Sequence, residues 1–278
     1  MGSDARPRLR VYGLKSKWIK IYAEKPDCAY RLFCFPYAGS GASVFREWAD
    51  FVPADVEVCA VQPPGRESRF SDPPIADLQE FVNAILPEIM PFLDKPFAFF
   101  GHSMGALMGF ELSRALRRKD GKVPFHLFLS AQRAPQVLDR APATRNLSND
   151  DILETLRELG GTPSEALASP QLMQLILPRL RADFEMCFNY APTLDEPLAT
   201  RMSVFGGERD TGVTHESLMG WSAHATGRFS LDILPGDHFF IHSAQQPLIK
   251  LVSSSLMQDV RDGWHSGARR AENGEIRA

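Results

Sequence analysis

The chain has 278 residues, 44% hydrophobic and 23% charged, which is ordinary for a globular protein with a large buried core. Its formal net charge of -3 gives no electrostatic reason to expect nucleic acid or an anionic membrane as partner. No apolar run reaches the roughly 18 residues of a membrane-spanning helix, and the N-terminal residues lack the apolar stretch of a signal peptide. The four cysteines have no metal-ligand spacing and are expected to be buried free thiols, so a cytoplasmic protein is predicted.

The first half of the chain alternates two kinds of pattern. Short apolar runs predict strands, and amphipathic stretches between them predict helices. This alternation is typical of a mostly parallel sheet with helices on both faces, an α/β class. Strands are predicted at 30–35, 56–61, 97–100 and 126–131, and helices at 43–51, 77–93 and 104–118.

The alternation breaks between about residues 142 and 197, where every pattern is helical. Ser148 and Asp151 have the spacing of a capping box variant at the first of these helices. The segment is either an excursion covering one edge or a lid that excludes water and shapes an acyl pocket. Its position favours the lid, because it leaves the sheet between two candidate catalytic residues.

Strand and helix patterns then resume up to residue 263. Strands are predicted at 202–205 and 229–234, and helices at 215–225 and 248–260. The polar segment 264–278, rich in Arg, is predicted to be a disordered tail. Residues 1–263 are therefore expected to form one domain that carries the helical insertion.

A candidate nucleophile lies in the run Gly101-His102-Ser103-Met104-Gly105. A buried strand precedes this run and a helix follows, which is the setting that the Gly-x-Ser-x-Gly elbow of an α/β-hydrolase fold requires. The two glycines let strand and helix pass closely around a strained turn. Ser103 is therefore predicted to be a nucleophile rather than an ordinary helix N-cap.

The base that activates a serine hydroxyl should be a histidine late in the chain, because the order in this fold is Ser, acid, His. His238 follows the strand at 229–234 in a loop at its carboxyl end, where open α/β sheets place their sites. His242 lies in the next apolar turn and is expected to pack or cap. His238 is the predicted base, and Asp237 is not expected to have the geometry to orient it.

The orienting carboxylate should follow the strand at 202–205, where Glu208 and Asp210 both stand. Asp210 is favoured because it lies further out in the loop, and its predicted role is to fix the tautomer of His238. Asp195 and Glu196 are expected to be solvated surface residues. The predicted triad is Ser103, Asp210 and His238.

The oxyanion hole in this fold uses two backbone N–H groups. One belongs to the residue after the nucleophile, which is Met104. The other comes from the turn after the first core strand, here Pro36-Tyr37-Ala38-Gly39-Ser40-Gly41, with Ala38 as the predicted donor.

Several motifs together resemble the type II thioesterases, stand-alone hydrolases that accompany polyketide synthases and nonribosomal peptide synthetases. The medium-chain thioesterase of animal fatty acid synthase is similar in the same places. The resemblance runs from about residue 28 to 255. The motifs are Phe35-Pro36-Tyr37-Ala38-Gly39, Pro64-Gly65-Arg66-Glu67-Ser68-Arg69, the run from Lys95 to Gly105, and Leu159-Gly160-Gly161-Thr162-Pro163.

The resemblance implies an editing hydrolase that removes acyl groups from the phosphopantetheine arm of an acyl or peptidyl carrier protein. It also implies the triad Ser103, Asp210 and His238, no metal or diffusible cofactor, and a monomer. The alternatives are a carboxylesterase or lipase acting on small esters and a non-catalytic carrier-protein-binding module.

Two stretches of the insertion bear on the resemblance. Arg181-Ala182-Asp183 matches a further family motif, which is expected to form an ion pair holding a helix rather than to catalyse. Cys187-Phe188-Asn189-Tyr190 stands where the family often has Glu-x-Tyr, a departure expected to alter the shape of the acyl pocket.

Overall fold

The computed structural model describes residues 16–137, 147–161 and 164–266. Within these ranges one sheet has the strand order β1-β3-β2-β4-β5-β6-β7. All neighbouring strands are parallel except β1, which runs antiparallel to β3. The strands are β1 (Ile19–Lys20), β2 (Tyr30–Phe35), β3 (Val56–Val61), β4 (Phe97–His102), β5 (His126–Ser130), β6 (Arg201–Gly207) and β7 (Phe229–Leu234).

Helices cover both faces of this sheet, so the predicted α/β class is confirmed. Among the strands of the described ranges, the sequence missed β1, which has two residues and hence no readable periodicity. The α-helices in the described ranges are α1 (Leu78–Ile89), α2 (Met104–Asp120), α3 (Asn149–Leu159), α4 (Ser164–Leu167), α5 (Pro170–Phe188), α6 (His215–Met219), α7 (Phe240–Ser243) and α8 (Gln245–Arg261).

Alternate residues of the central strands enter different cores, because successive side chains of a strand point to opposite faces. Phe33 and Phe99 pack in the core that contains α1 and α2. Leu32 and Phe100 pack in the core that contains α8. The central strands are buried on both faces, which is why they read as continuous apolar runs.

The helix predicted at 43–51 is a 3₁₀-helix, Ala42–Asp50. Phe45 and Trp48 are both fully buried and stand three residues apart. This spacing matches the three residues per turn of a 3₁₀-helix as well as it fits one face of an α-helix. Local periodicity therefore could not separate the two.

The helix predicted at 77–93 contains Pro87, from which a kink or an early end is expected, and the helix does end early. Asp77 caps α1 by accepting the N–H of Glu80, and Pro87 lies inside the helix near its end. A proline removes one helical hydrogen bond. The α-helix α1 ends at Ile89, and a 3₁₀ turn, Met90–Phe92, follows it directly.

Helices α3, α4 and α5 lie between β5 and β6 and share a small apolar core of their own. The capping box of Ser148 and Asp151 at the start of α3 is confirmed. Gly160 ends α3 with a φ of 75°, the left-handed conformation typical of a helix C-cap. Residues 142–146, 162 and 163 of the predicted insertion lie outside the described residues.

The predicted disordered tail begins too early. Trp264–Ser266 form a 3₁₀ turn, and Trp264 is buried with its indole N–H donated to the carbonyl of Phe125. The ring of His265 also packs edge-on against Tyr30, so this turn is ordered although the composition around it is polar. Residues 267–278 of that tail, and residues 1–15, lie outside the described ranges.

Across the described ranges, no helix combines the length and the apolar character needed to cross a bilayer.

Candidate active site

Ser103 occupies the sharp turn between β4 and α2. Its φ of 53° and ψ of -120° are strained for a residue with a side chain. A Cβ on Gly101 would lie 2.2 Å from the carbonyl oxygen of Gly105, and a Cβ on Gly105 would lie 2.1 Å from that of Phe35. Neither position can therefore hold a side chain while strand, turn and helix stay in place.

Ser103, His238 and Asp210 form one hydrogen-bonded chain. The Ser103 hydroxyl oxygen is 3.0 Å from His238 Nε2, and His238 Nδ1 is 2.7 Å from Asp210 Oδ2. The side chain of Asp210 is 2% exposed, so its carboxylate acts on the imidazole with little screening by water. This arrangement can orient the ring and support a proton transfer from the hydroxyl.

The loops that carry His238 and Asp210 are joined along their backbones. Arg209 donates its N–H to the carbonyl of Gly236 over 2.8 Å. A Cβ on Gly207 would lie 2.4 Å from the carbonyl oxygen of Asp237. Asp237 itself accepts the N–H of Phe239 and so caps the next turn instead of orienting His238. The close contact between the two loops, at Gly207 and Arg209 on one side and Gly236 and Asp237 on the other, holds the Asp210 carboxylate and the His238 ring at a fixed separation.

His102 is fully buried behind His238 and supports its loop. Its Nε2 lies 2.9 Å from the backbone oxygen of His238, and its Nδ1 lies 2.9 Å from the Ser130 hydroxyl. Burial, and next the charge of His238, lower the pKa of His102 far below 6.5. The ring is therefore neutral, and since a carbonyl can only accept, Nε2 carries the hydrogen and Nδ1 accepts from Ser130.

His242 lies beside the site and not within the chain of three residues. Its Nε2 is 2.7 Å from the hydroxyl of Tyr37. The ring of Tyr37 also packs edge-on against Phe239, the neighbour of His238. His242 thus fixes the Tyr37 side of the site entrance.

Two backbone N–H groups near Ser103 are available to an incoming oxygen. Those of Met104 and Ala38 donate no hydrogen bond to any residue of the described ranges. Met104 is the first residue of α2, where N–H groups are unsatisfied within the helix. Ala38 lines the same cavity as Ser103.

A cavity of about 690 Å³ opens at Ser103 and His238. One wall comes from the turn after β2, and the opposite wall from α3 and α5. The volume falls within the range of small-molecule sites, and the apolar wall suits an alkyl or aryl group. The apolar lining includes Leu156, Leu159, Ile176, Leu180, Phe184, Phe188 and Phe239.

Cys187 lines this cavity beside Phe188. Burial, with a smaller contribution from Asp183, raises the pKa of the Cys187 thiol to about 12. The thiol is therefore neutral near neutral pH and contributes volume rather than reactivity. Tyr190 instead donates a hydrogen bond from its hydroxyl to the carboxylate of Glu111. In the stretch 187–190, where the sequence departs from the family pattern, Cys187 and Phe188 therefore form part of the pocket wall and Tyr190 does not.

The motif Arg181-Ala182-Asp183 forms an ion pair, but not within itself. Asp183 is 1% exposed and binds both terminal nitrogens of Arg66 at 2.6 and 2.7 Å. Arg181 donates to the carbonyl of Leu147 and to Asn149. The partner lies 117 positions from Asp183, and sequence reasoning gave no signal for it beyond an arginine in a second motif.

Asp195 is exposed at the surface, as predicted from the sequence, but its carboxylate is paired with arginines, which the sequence did not indicate. It accepts hydrogen bonds from Arg114, Arg117 and Arg118, all on α2. Burial alone would raise its pKa, but Arg114 and then Arg117 lower the pKa overall. This cluster ties the chain that enters β6 to the helix after Ser103.

Residues 30–256 match a family model described as the thioesterase domain. The gramicidin S biosynthesis protein GrsT of Aneurinibacillus migulanus is 42% identical over 241 residues, which are 87% of this chain and 94% of that protein. The thioesterase RedJ of the prodiginine pathway of Streptomyces coelicolor superposes with a TM-score of 0.76 at 33% identity, covering 83% of this chain and 87% of RedJ. The type II thioesterase BorB of the borrelidin cluster gives a TM-score of 0.77 at 30% identity, covering 85% and 96%.

The sheet order, the elbow and these superpositions define an α/β-hydrolase fold, as predicted. The chain belongs to the thioesterase family, within it to the type II thioesterases. Its activity is that of a thioester hydrolase.

Proposed function

We propose that this chain hydrolyses acyl groups from the phosphopantetheine arm of a carrier protein, with Ser103, His238 and Asp210 as its catalytic triad. The observation that carries the proposal is the unbroken hydrogen-bond chain from Asp210 through His238 to Ser103, at 2.7 and 3.0 Å, opening on the cavity. The partner and the editing role draw support from the relatives, among them a protein of gramicidin S biosynthesis.

The reaction starts when His238 Nε2 takes the proton of Ser103 and the serine oxygen attacks the thioester carbonyl. Asp210 keeps the other ring nitrogen protonated and stabilises the imidazolium. The N–H groups of Met104 and Ala38 donate to the oxygen that gains negative charge. Each such donor is typically worth about 3 kcal/mol of transition-state stabilisation.

The attack gives a tetrahedral intermediate. When this intermediate collapses, the C–S bond breaks and His238 delivers its proton to the leaving thiolate. Water enters, His238 removes one of its protons, and the resulting hydroxide equivalent attacks the acyl-serine. Collapse of the second intermediate returns the proton to Ser103 and releases a carboxylic acid. During both steps the acyl group lies against the apolar wall from α5, including Leu180 and Phe184.

The direct test is Ser103→Ala, assayed on acyl-carrier proteins and on acyl N-acetylcysteamine thioesters. Hydrolysis should fall by about 10⁴-fold or more, the remainder being due to the oxyanion donors and substrate binding, and a fluorophosphonate should label the wild-type chain but not the variant. Substantial turnover by the variant refutes the assignment of the nucleophile. A matched oxyester in the same assay separates thioester from general ester hydrolysis, and binding of a carrier protein without turnover indicates a non-catalytic module.

A further inference from the structure

The carboxylate of Asp183 on α5 joins three separate parts of the molecule. It binds the guanidinium of Arg66, from the loop after β3, through both of its oxygens. One of those oxygens also accepts the backbone N–H of Gly39 over 2.7 Å. Gly39 immediately follows Ala38, the proposed oxyanion donor. A residue of the insertion thus contacts the turn that carries the oxyanion hole.

That turn has a conformation which this contact stabilises. Ser40 donates its N–H to the carbonyl of Tyr37 over 3.1 Å, and Gly39 has a φ of 81°. A positive φ at the third residue is the mark of a type II β-turn, in which rotation of the central peptide changes the turn type. The central peptide here joins Ala38 to Gly39, and its N–H is the group that Asp183 accepts. Asp183 therefore fixes the backbone on one side of Ala38, and the Tyr37–Ser40 bond closes the turn around it.

Arg66 makes this carboxylate compatible with a nearby oxyanion. An unpaired carboxylate close to the reacting carbonyl would oppose the negative charge that develops on it. The bidentate guanidinium neutralises Asp183, and it also donates to the carbonyls of Pro64 and Ser40. The ion pair thus contacts the turn at Gly39 and at Ser40 without adding net charge.

We propose that Asp183 is a positioning residue for the oxyanion hole. With α5 in place, its carboxylate holds the turn of residues 37–40 so that the Ala38 N–H points at the oxyanion. The insertion helix then completes the catalytic site as well as walling the pocket. This inference rests on the proposed function, because it assigns Asp183 an effect on the proposed donor Ala38.

The test compares Asp183→Ala with the matched control Asp195→Ala. Both variants remove a carboxylate that links the segment between β5 and β6 to core arginines, but only Asp183 touches the oxyanion turn. With acyl N-acetylcysteamine thioesters, Asp183→Ala should lower kcat about 10- to 100-fold and leave KM within about threefold of wild type. This decrease in kcat is no larger than the one expected from removing one oxyanion donor outright. Asp195→Ala should keep kcat within about threefold.

A second readout isolates the oxyanion. An alkyl trifluoromethyl ketone adds to a catalytic serine and places an alkoxide where the oxyanion forms, whereas the corresponding alkyl methyl sulfide fills only the acyl pocket. Asp183→Ala should weaken binding of the ketone by about the factor by which it lowers kcat, because both quantities depend on the oxyanion donors. Binding of the sulfide should stay within about threefold of wild type.

The double variant Arg66→Met/Asp183→Leu covers the case in which the single variant does not fold. Replacing a buried ion pair by apolar residues of similar volume is often neutral for stability, yet Gly39 still loses its acceptor. We expect a wild-type midpoint of thermal unfolding with the same loss of kcat. Wild-type kcat in this folded variant, or equal losses in Asp183→Ala and Asp195→Ala, overturns the inference. Activity that survives in Ser103→Ala would instead overturn the proposed function, so the two failures are distinguishable.

Discussion

Replacing Gly105 by alanine should damage the active site although it adds only one methyl group. The new Cβ would lie 2.1 Å from the carbonyl oxygen of Phe35 and 2.8 Å from that of Pro36. Ordinary carbon–oxygen contacts are about 3.3 Å or longer, so the start of α2 must move by roughly 1 Å away from the end of β2. That movement separates Ser103 and the Met104 N–H from the Ala38 turn. A misplacement of about 1 Å can cost about 100-fold in rate, and this is the loss of kcat that we expect.

Gly109→Ala, one turn later on the same helix, is the matched control. A Cβ there would meet the Phe35 ring at 3.4 Å, an ordinary contact. Alanine is favoured over glycine inside a helix by up to about 1 kcal/mol, so Gly109→Ala should be neutral or raise the midpoint of unfolding by about 2–4 °C. Its kcat should stay within about threefold of wild type.

The assay measures kcat on one acyl N-acetylcysteamine thioester together with thermal unfolding of each purified variant. Gly105→Ala should lose most of its kcat even at temperatures where circular dichroism shows it to be folded. Comparable kcat for Gly105→Ala and wild type would refute the steric reasoning, as would equal losses in both glycine variants.

Three further predictions concern stability and reactivity. Burial, and next the charge of His238, hold the pKa of His102 far below 6.5, so below about pH 6.5 the unfolded chain binds a proton at this residue that the folded chain does not. The free energy of unfolding should therefore decrease by up to about 1.4 kcal/mol for each pH unit below about 6.5. Urea unfolding of His102→Gln should show a shallower pH dependence. Cys187 is partly exposed in the cavity, but its pKa is raised to about 12, so it should react slowly with iodoacetamide in the folded protein and faster after denaturation; rapid labelling of the folded protein, located by mass spectrometry, would contradict the raised pKa. Trp264→Ala should lower the free energy of unfolding by about 3–5 kcal/mol, since it empties a buried site; a loss under about 1 kcal/mol would show that the 3₁₀ turn at 264–266 contributes little.

Local pattern was sufficient for much of this chain. The strand from Tyr30 to Phe35 and the helix beginning at Met104 were readable because buried strands and capped helices leave their signals within a few neighbouring residues. The setting of Ser103 was readable for the same reason, because two glycines in five residues answer a strictly local steric demand. The chain order of acid and base followed from the topology, since parallel strands bring their carboxyl ends to one edge of the sheet.

Tertiary structure decided what depends on partners distant in the sequence. No periodicity predicted that Asp195 would bind three arginines of α2, or that Trp264 would be buried with its indole N–H donated to the carbonyl of Phe125. The sequence pattern likewise could not choose between an α-helix and a 3₁₀-helix at 42–50, because both place Phe45 and Trp48 on one face.

The sequence by itself thus determined the α/β fold and which serine occupies the elbow, because both depend on spacing along the chain. Only the tertiary structure decided that Asp183 would reach Gly39 and Arg66 together. The physical reason is that a buried charge must be neutralised wherever the fold places it. Its partner is set by the packing of α5 against α2 and α3, which no local pattern records.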